Sequence, residues 1–93
     1  MSSEKHILTL YIAGKTQKAD RAIENINKYY EEHLQDGYVL EVVDLKEHPE
    51  LAFSEQIIAI PTLIRKLPAP LRVLVGDLSD KEKVLVGLNI KTG

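Results

Sequence analysis

Residues 7–13, ILTLYIA, form a nearly continuous apolar run of strand length. A strand with one wet face alternates apolar and polar residues, so an unbroken run predicts a strand covered on both faces, as at the centre of a parallel sheet. The period then changes. Beyond Gly14, Thr16 stands where it can cap a helix. Ala19, Ala22, Ile23, Ile26 and Tyr30 follow at helical spacing, with Lys18, Arg21, Glu24 and Lys28 on the water side. Asp36-Gly37 ends that pattern, and residues 38–44, YVLEVVD, return to strand composition. Together these segments predict a βαβ unit with parallel strands and a right-handed crossover.

The second half reads as shorter elements. Pro49 preorganises a first helical turn, which predicts a short helix over 49–56. Residues 62–67 and 71–75 bracket Pro68-Ala69-Pro70 and predict a hairpin, while Ser79-Asp80-Lys81-Glu82 has the spacing of a capping box opened by Ser79. The order is βαβαββα, an α/β fold with a mixed four-stranded sheet. Three segments carry conflicting signals. Residues 84–90 place strand formers inside the last helix, 57–60 are strand-like but follow a helix, and 63–67 would tolerate helix between flanking prolines. At 93 residues, with no repeat or linker, the chain makes a single domain.

Composition excludes several functions. Twelve Lys and Arg against fourteen Asp and Glu leave a net charge of −2, which argues against a nucleic-acid partner. No stretch approaches membrane-spanning length, and the short, acidic lead into residue 7 does not suit a secretion signal. A cytoplasmic location and no membrane partner are expected. With no cysteine the chain has no thiol chemistry of its own. Gly14-Lys15-Thr16 imitates the end of a phosphate-binding loop, but the glycine required five residues earlier is Thr9. His6, His33 and His48 are scattered and read as surface or helix-end residues, so neither metal nor cofactor is predicted. Asp44, Glu47 and Glu50 read as a solvated turn, and no residue is assigned to catalysis. Residues 56–76 hold Arg65, Lys66 and Arg72 without one acidic residue, a positive surface stretch. On paired strands Arg65 and Arg72 would lie together, offering forked donors to carboxylates of a protein partner or discouraging edge-to-edge aggregation.

Ile60-Pro61-Thr62-Leu63 resembles the proline signature of thioredoxin-like folds, in which the X-Pro bond is cis. In those folds a cysteine motif follows the first strand, where this chain reads AGKTQKA over 13–19. A simple strand-start proline is the other reading of Pro61. A more specific resemblance rests on Leu10-Tyr11-Ile12-Ala13-Gly14, Ile60-Pro61-Thr62-Leu63, Leu67-Pro68-Ala69-Pro70 and the segment GDLSDKEKVL over 76–85. In this order they are similar to the KaiB family, with the match running from Leu10 to about Ile90.

That resemblance implies a non-catalytic partner of the KaiC ATPase in a circadian, timing or stress-response system, and two folds for one sequence. One fold is a tetramer-forming βαββααβ state and the other is the thioredoxin-like βαβαββα state that binds KaiC, so a dimer or tetramer is also expected. The conflicting segments are those that would change, and Gly87 and Asn89 stand where helix and strand compete. Arg21, Arg65 and Arg72 match basic residues that contribute to partner contact in the family. The chain departs from cyanobacterial members at Gln56 (commonly lysine), at Val73 (a second arginine) and at Ala52-Phe53-Ser54 (more acidic). It also stops at Gly93 without their acidic tail, from which a stress-linked role and a thioredoxin-like resting state are expected. Two other readings compete: a thioredoxin-like stress protein with a different partner or a borrowed small thiol, and a sensory adaptor of a SasA-type histidine kinase.

Overall fold

The structure is a computed structural model that describes residues 5–33 and 37–88. Its elements follow the predicted order: β1 (His6–Ile12), α1 (Gln17–His33), β2 (Tyr38–Asp44), α2 (Glu50–Ser54), β3 (Thr62–Leu67), β4 (Arg72–Val75) and α3 (Lys81–Gly87). The sheet order is β2-β1-β3-β4; β1 pairs parallel with β2 and antiparallel with β3, and β3 with β4 antiparallel. The unbroken apolar run is therefore an interior strand. Leu8 and Leu10 are buried on one of its faces and Thr9 and Tyr11 on the other.

α1 and α3 pack on the first of these faces. Leu8, Leu10 and Ile12 of β1 and Leu63 of β3 meet Ala19, Ala22, Ile26, Tyr29 and Tyr30 of α1, together with Val84, Leu85 and Leu88 at α3. Ile23 is only half-buried at the margin of this core, and Tyr29 takes a place within it. The Tyr29 hydroxyl donates to the Leu78 carbonyl at 2.9 Å, so one aromatic ring fills apolar space and still satisfies its polar end. His6 is buried and not on the surface. It starts β1 on the helix-facing side, where its Nδ1 lies 2.8 Å from the Tyr30 hydroxyl, and Tyr30 stacks on Tyr38 with centroids 4.8 Å apart.

Thr16 caps α1 as expected, its Oγ1 accepting the Ala19 amide at 3.0 Å. The last helix begins one residue later than the capping-box spacing suggests. Asp80 is extended and its carboxylate accepts from the Lys83 amide, whereas Ser79 is held back by donating its amide to Asp77 Oδ1 at 3.1 Å. An Asx turn thus competes for the serine and moves the cap onward. Residues 57–60 form no strand, and 63–67 are strand rather than helix because they pair on both sides. Asp36 and Asn89 lie outside the described residues, while Gly37 holds the positive φ of +98° suited to a helix exit.

Candidate protein-docking surface

Where a thioredoxin-type fold carries its thiols, this chain has a turn built from backbone and one carboxylate. The amides of Gly14 and Lys46 both donate to Asp44 Oδ1 at 2.9 Å. Asp44 thereby ties the end of β2 to the β1–α1 turn, a role beyond the solvated charge expected of it. The Gly14 amide first, then that of Lys46, holds its carboxyl below the usual carboxylate range. Gly14 takes φ +75° here, which an L side chain rarely adopts.

The Ile60–Pro61 bond opposite the turn is cis, and the Pro61 carbonyl accepts the Gly76 amide at 2.9 Å, locking the proline segment to the end of β4. Between turn and proline lies a depression of about 280 Å³ lined by Ile12, Ala13, Thr16, Ala19, Ile60 and Pro61, with Lys18 at its edge. The Thr16 hydroxyl serves the helix cap, where it accepts from the Ala19 amide. The depression offers shape and backbone edges for contact.

The three arginines do not form one surface. Arg65 and Arg72 pair across β3 and β4 as expected from the hairpin. Arg65, however, is 2% exposed. Its position places it on the helix-facing side with Leu63, where its Nη1 donates to the Leu88 carbonyl and its Nη2 to that of Pro70 at 3.0 Å. In this fold it is an internal strut beneath the end of α3 and presents no guanidinium to a partner. Arg72 beside it is exposed. Arg21 is exposed on α1 near Asp77, beyond the other end of β4. The hydroxyl and amide of Ser79 chiefly hold the Asp77 carboxyl low, with Arg21 and Lys18 adding a smaller charge effect.

The opposite face of the sheet carries an apolar groove that charge-based reading missed. Ile57 and Ile58 stand over Ile64, Leu71, Val73 and Val75, enclosing about 340 Å³. Glu55 holds this loop in place by accepting from the Tyr11 hydroxyl at 3.3 Å and facing Lys66 Nζ at 3.8 Å. Ile58 is 96% exposed and Phe53 on α2 is 88% exposed, far more apolar surface than these side chains need to leave in water. Two signals for the groove were present in the sequence: the alternation of Val73 and Val75 on an edge strand, and an apolar run at 57–60 that no strand uses. Gln56 and Val73, two of the departures noted above, both lie along it.

A four-stranded thioredoxin-like sheet whose usual thiol position is a cysteine-free turn defines the class of domain to which this chain belongs. The KaiB domain model matches residues 9–90, and the chain belongs to the KaiB family. It is 45% identical to the circadian clock oscillator protein KaiB of Cyanothece sp., over 91% of this chain and 81% of that protein. Among solved structures, the N-terminal domain of Synechococcus elongatus SasA superposes with a TM-score of 0.77 at 18% identity, covering all of this chain and 91% of that one. Chloroplastic thioredoxin z superposes with a TM-score of 0.69 at 17% identity, over 96% of this chain and 80% of that one. Those two likenesses bear on the fold alone, and they agree with a thioredoxin-like architecture.

Proposed function

We propose that this protein is a non-catalytic regulator that docks on a KaiC-type ATPase in a circadian, timing or stress-response system. The observation that carries this reading is membership of the KaiB family across residues 9–90, with relatives named as clock oscillator proteins. The thiol-free turn at 13–19 supports a binding role, since disulfide exchange requires a nucleophile this chain does not contain. Exposed Arg21 and Arg72 are the proposed contacts to partner carboxylates, and Pro61 is the structural proline that shapes the adjoining edge. Such contacts belong in the cytoplasm.

Exchange between two folds is part of the same proposal. Two packings of one sequence coexist when they differ by only a few kcal/mol, and a partner selects the one it binds better. Gly87, in the last turn of α3, is the proposed control point within the described residues, and Asn89 its counterpart just beyond them.

The test is size-exclusion co-elution with the KaiC-type ATPase of the same organism, in ATP and after long incubation, with light scattering to report a dimer or tetramer of the free chain. Co-elution lost in Arg72→Glu or Arg21→Glu is the expected result. Persistent separation of the unaltered chain would overturn the ATPase reading in favour of a thioredoxin-like stress protein with another partner. The apolar groove at Val73 would then be the surface to follow.

A further inference from the structure

One polar cluster of the core takes no part in the proposed docking. The Tyr30 hydroxyl is fully buried and meets His6 Nδ1 at 2.8 Å, the two rings standing edge to face with centroids 5.3 Å apart. Tyr38 stacks on Tyr30 with centroids 4.8 Å apart and ring planes 24° from parallel. Tyr38 is only partly buried, and its hydroxyl donates to Asn27 Oδ1 at 2.7 Å. The stacked pair therefore runs from the margin of the core to its interior.

The two phenols differ in what receives their protons. Burial raises the Tyr30 hydroxyl well above its ordinary value, so it does not ionise alone. A neutral imidazole protonated at Nε2 accepts from Tyr30 through Nδ1, and at 2.8 Å it is within the reach of a base taking that proton. The Asn27 amide oxygen also accepts a hydrogen bond, from Tyr38, but it is not a base. A phenol that loses an electron becomes a strong acid, so an electron deficit shared by the two rings settles on the one whose proton has a base beside it. That ring is Tyr30, which the surrounding core shields from a second radical.

We propose that Tyr38, Tyr30 and His6 form a one-electron relay that takes up small oxidising radicals such as nitrogen dioxide. The oxidant takes one electron from the Tyr38 ring and leaves as nitrite. Tyr30 refills Tyr38 across the stack, and the Tyr30 hydroxyl proton passes to His6 Nδ1. The products are nitrite, a neutral Tyr30 phenoxyl radical and the His6 imidazolium, so atoms and charge balance. An enediol reductant such as ascorbate, oxidised to its own radical with loss of a proton to water, returns the electron through Tyr38, and His6 returns its proton to Tyr30. The charge of Arg65 acts on Tyr30 and opposes the imidazolium, which favours this return. The relay is independent of the ATPase reading and needs no thiol.

The experiment is pulse radiolysis of the full chain in azide solution, with the azidyl radical as the one-electron probe and phenoxyl absorbance followed in time. A long-lived phenoxyl component is expected, removed by ascorbate and retained in Tyr11→Phe, which alters only the tyrosine tied to Glu55. Tyr30→Phe should lose it. His6→Asn sets an amide oxygen where Nδ1 stands, keeping the hydrogen bond without the base. It should slow the appearance of that component by about 100-fold, the lower end of what a positioned base contributes. Tyr38→Phe leaves the buried pair in place and should lose the fast phase of that appearance, which serves as the test if a core variant does not fold. A short-lived signal alone, a long-lived one that persists in Tyr30→Phe, or an unchanged rate in His6→Asn or Tyr38→Phe would overturn the proposal.

Discussion

At the scale of single residues, side chains that read as solvent-facing charge prove to be the ones that join elements. Asp44 collects two amides from different turns, Arg65 spans two carbonyls and His6 meets Tyr30 inside the core. Asp80 shows how fine the local competition is, since Ser79 and Asp80 are both good helix caps and adjacent. The Asp77 side chain decides between them by taking the Ser79 amide. Asp80→Ala should therefore cost about 1 kcal/mol of stability by urea unfolding, the usual loss for an acidic or hydroxyl cap. Ser79→Ala should cost no more than about 0.5 kcal/mol, as expected for an exposed residue outside the cap. A larger loss at Ser79 than at Asp80 would return the cap to the serine.

Among elements, α3 is where sequence and structure are most finely balanced. Its strand-forming Val84 and Val86 are helical here because Val84 and Leu85 bury against the sheet, while Val86 is left exposed. Gly87 sharpens the balance. Replacing glycine by alanine in a helix gains roughly 1 kcal/mol, which by propensity alone favours the thioredoxin-like form. Yet a Cβ at Gly87 would come within 2.6 Å of Leu74 Cδ2 on β4. That methyl is the far end of a flexible side chain, and moving it off its rotamer costs about 0.5–1.5 kcal/mol. The two terms are of equal size, so Gly87→Ala alone should change stability by less than about 0.5 kcal/mol. Combined with Leu74→Val it should be more favourable than the sum of the single changes by about 0.5–1 kcal/mol, a coupling that a double-mutant cycle in urea measures. Strict additivity would remove Leu74 as the opposing contact.

For the molecule as a whole, all four tyrosines have hydroxyls raised above the ordinary value of 10.0, burial being the first cause in each. The neutral form is the folded form, so the stability they contribute is complete below pH 10 and falls as pH rises beyond it, when the unfolded chain ionises first. Urea midpoints should drop between about pH 10 and pH 12, with tyrosinate absorbance appearing together with unfolding. Tyr30→Phe should flatten that drop, because Tyr30 is shifted furthest; an unaltered slope would place the alkaline sensitivity elsewhere. The same scale separates what the sequence by itself determined from what it left open. Element order, the interior position of β1, the Thr16 cap and the family were legible, because periodicity, caps and short apolar runs are local properties of neighbouring residues. The burial of Arg65 and the opening of the Val73 groove were decided only in three dimensions. Each depends on which sheet face a strand pairing assigns and on what a distant segment leaves uncovered: Leu88 closes over Arg65, whereas the loop at 55–58 stops short of covering β4. No window of sequence contains both partners of those contacts, so their free energies enter only when the chain closes on itself.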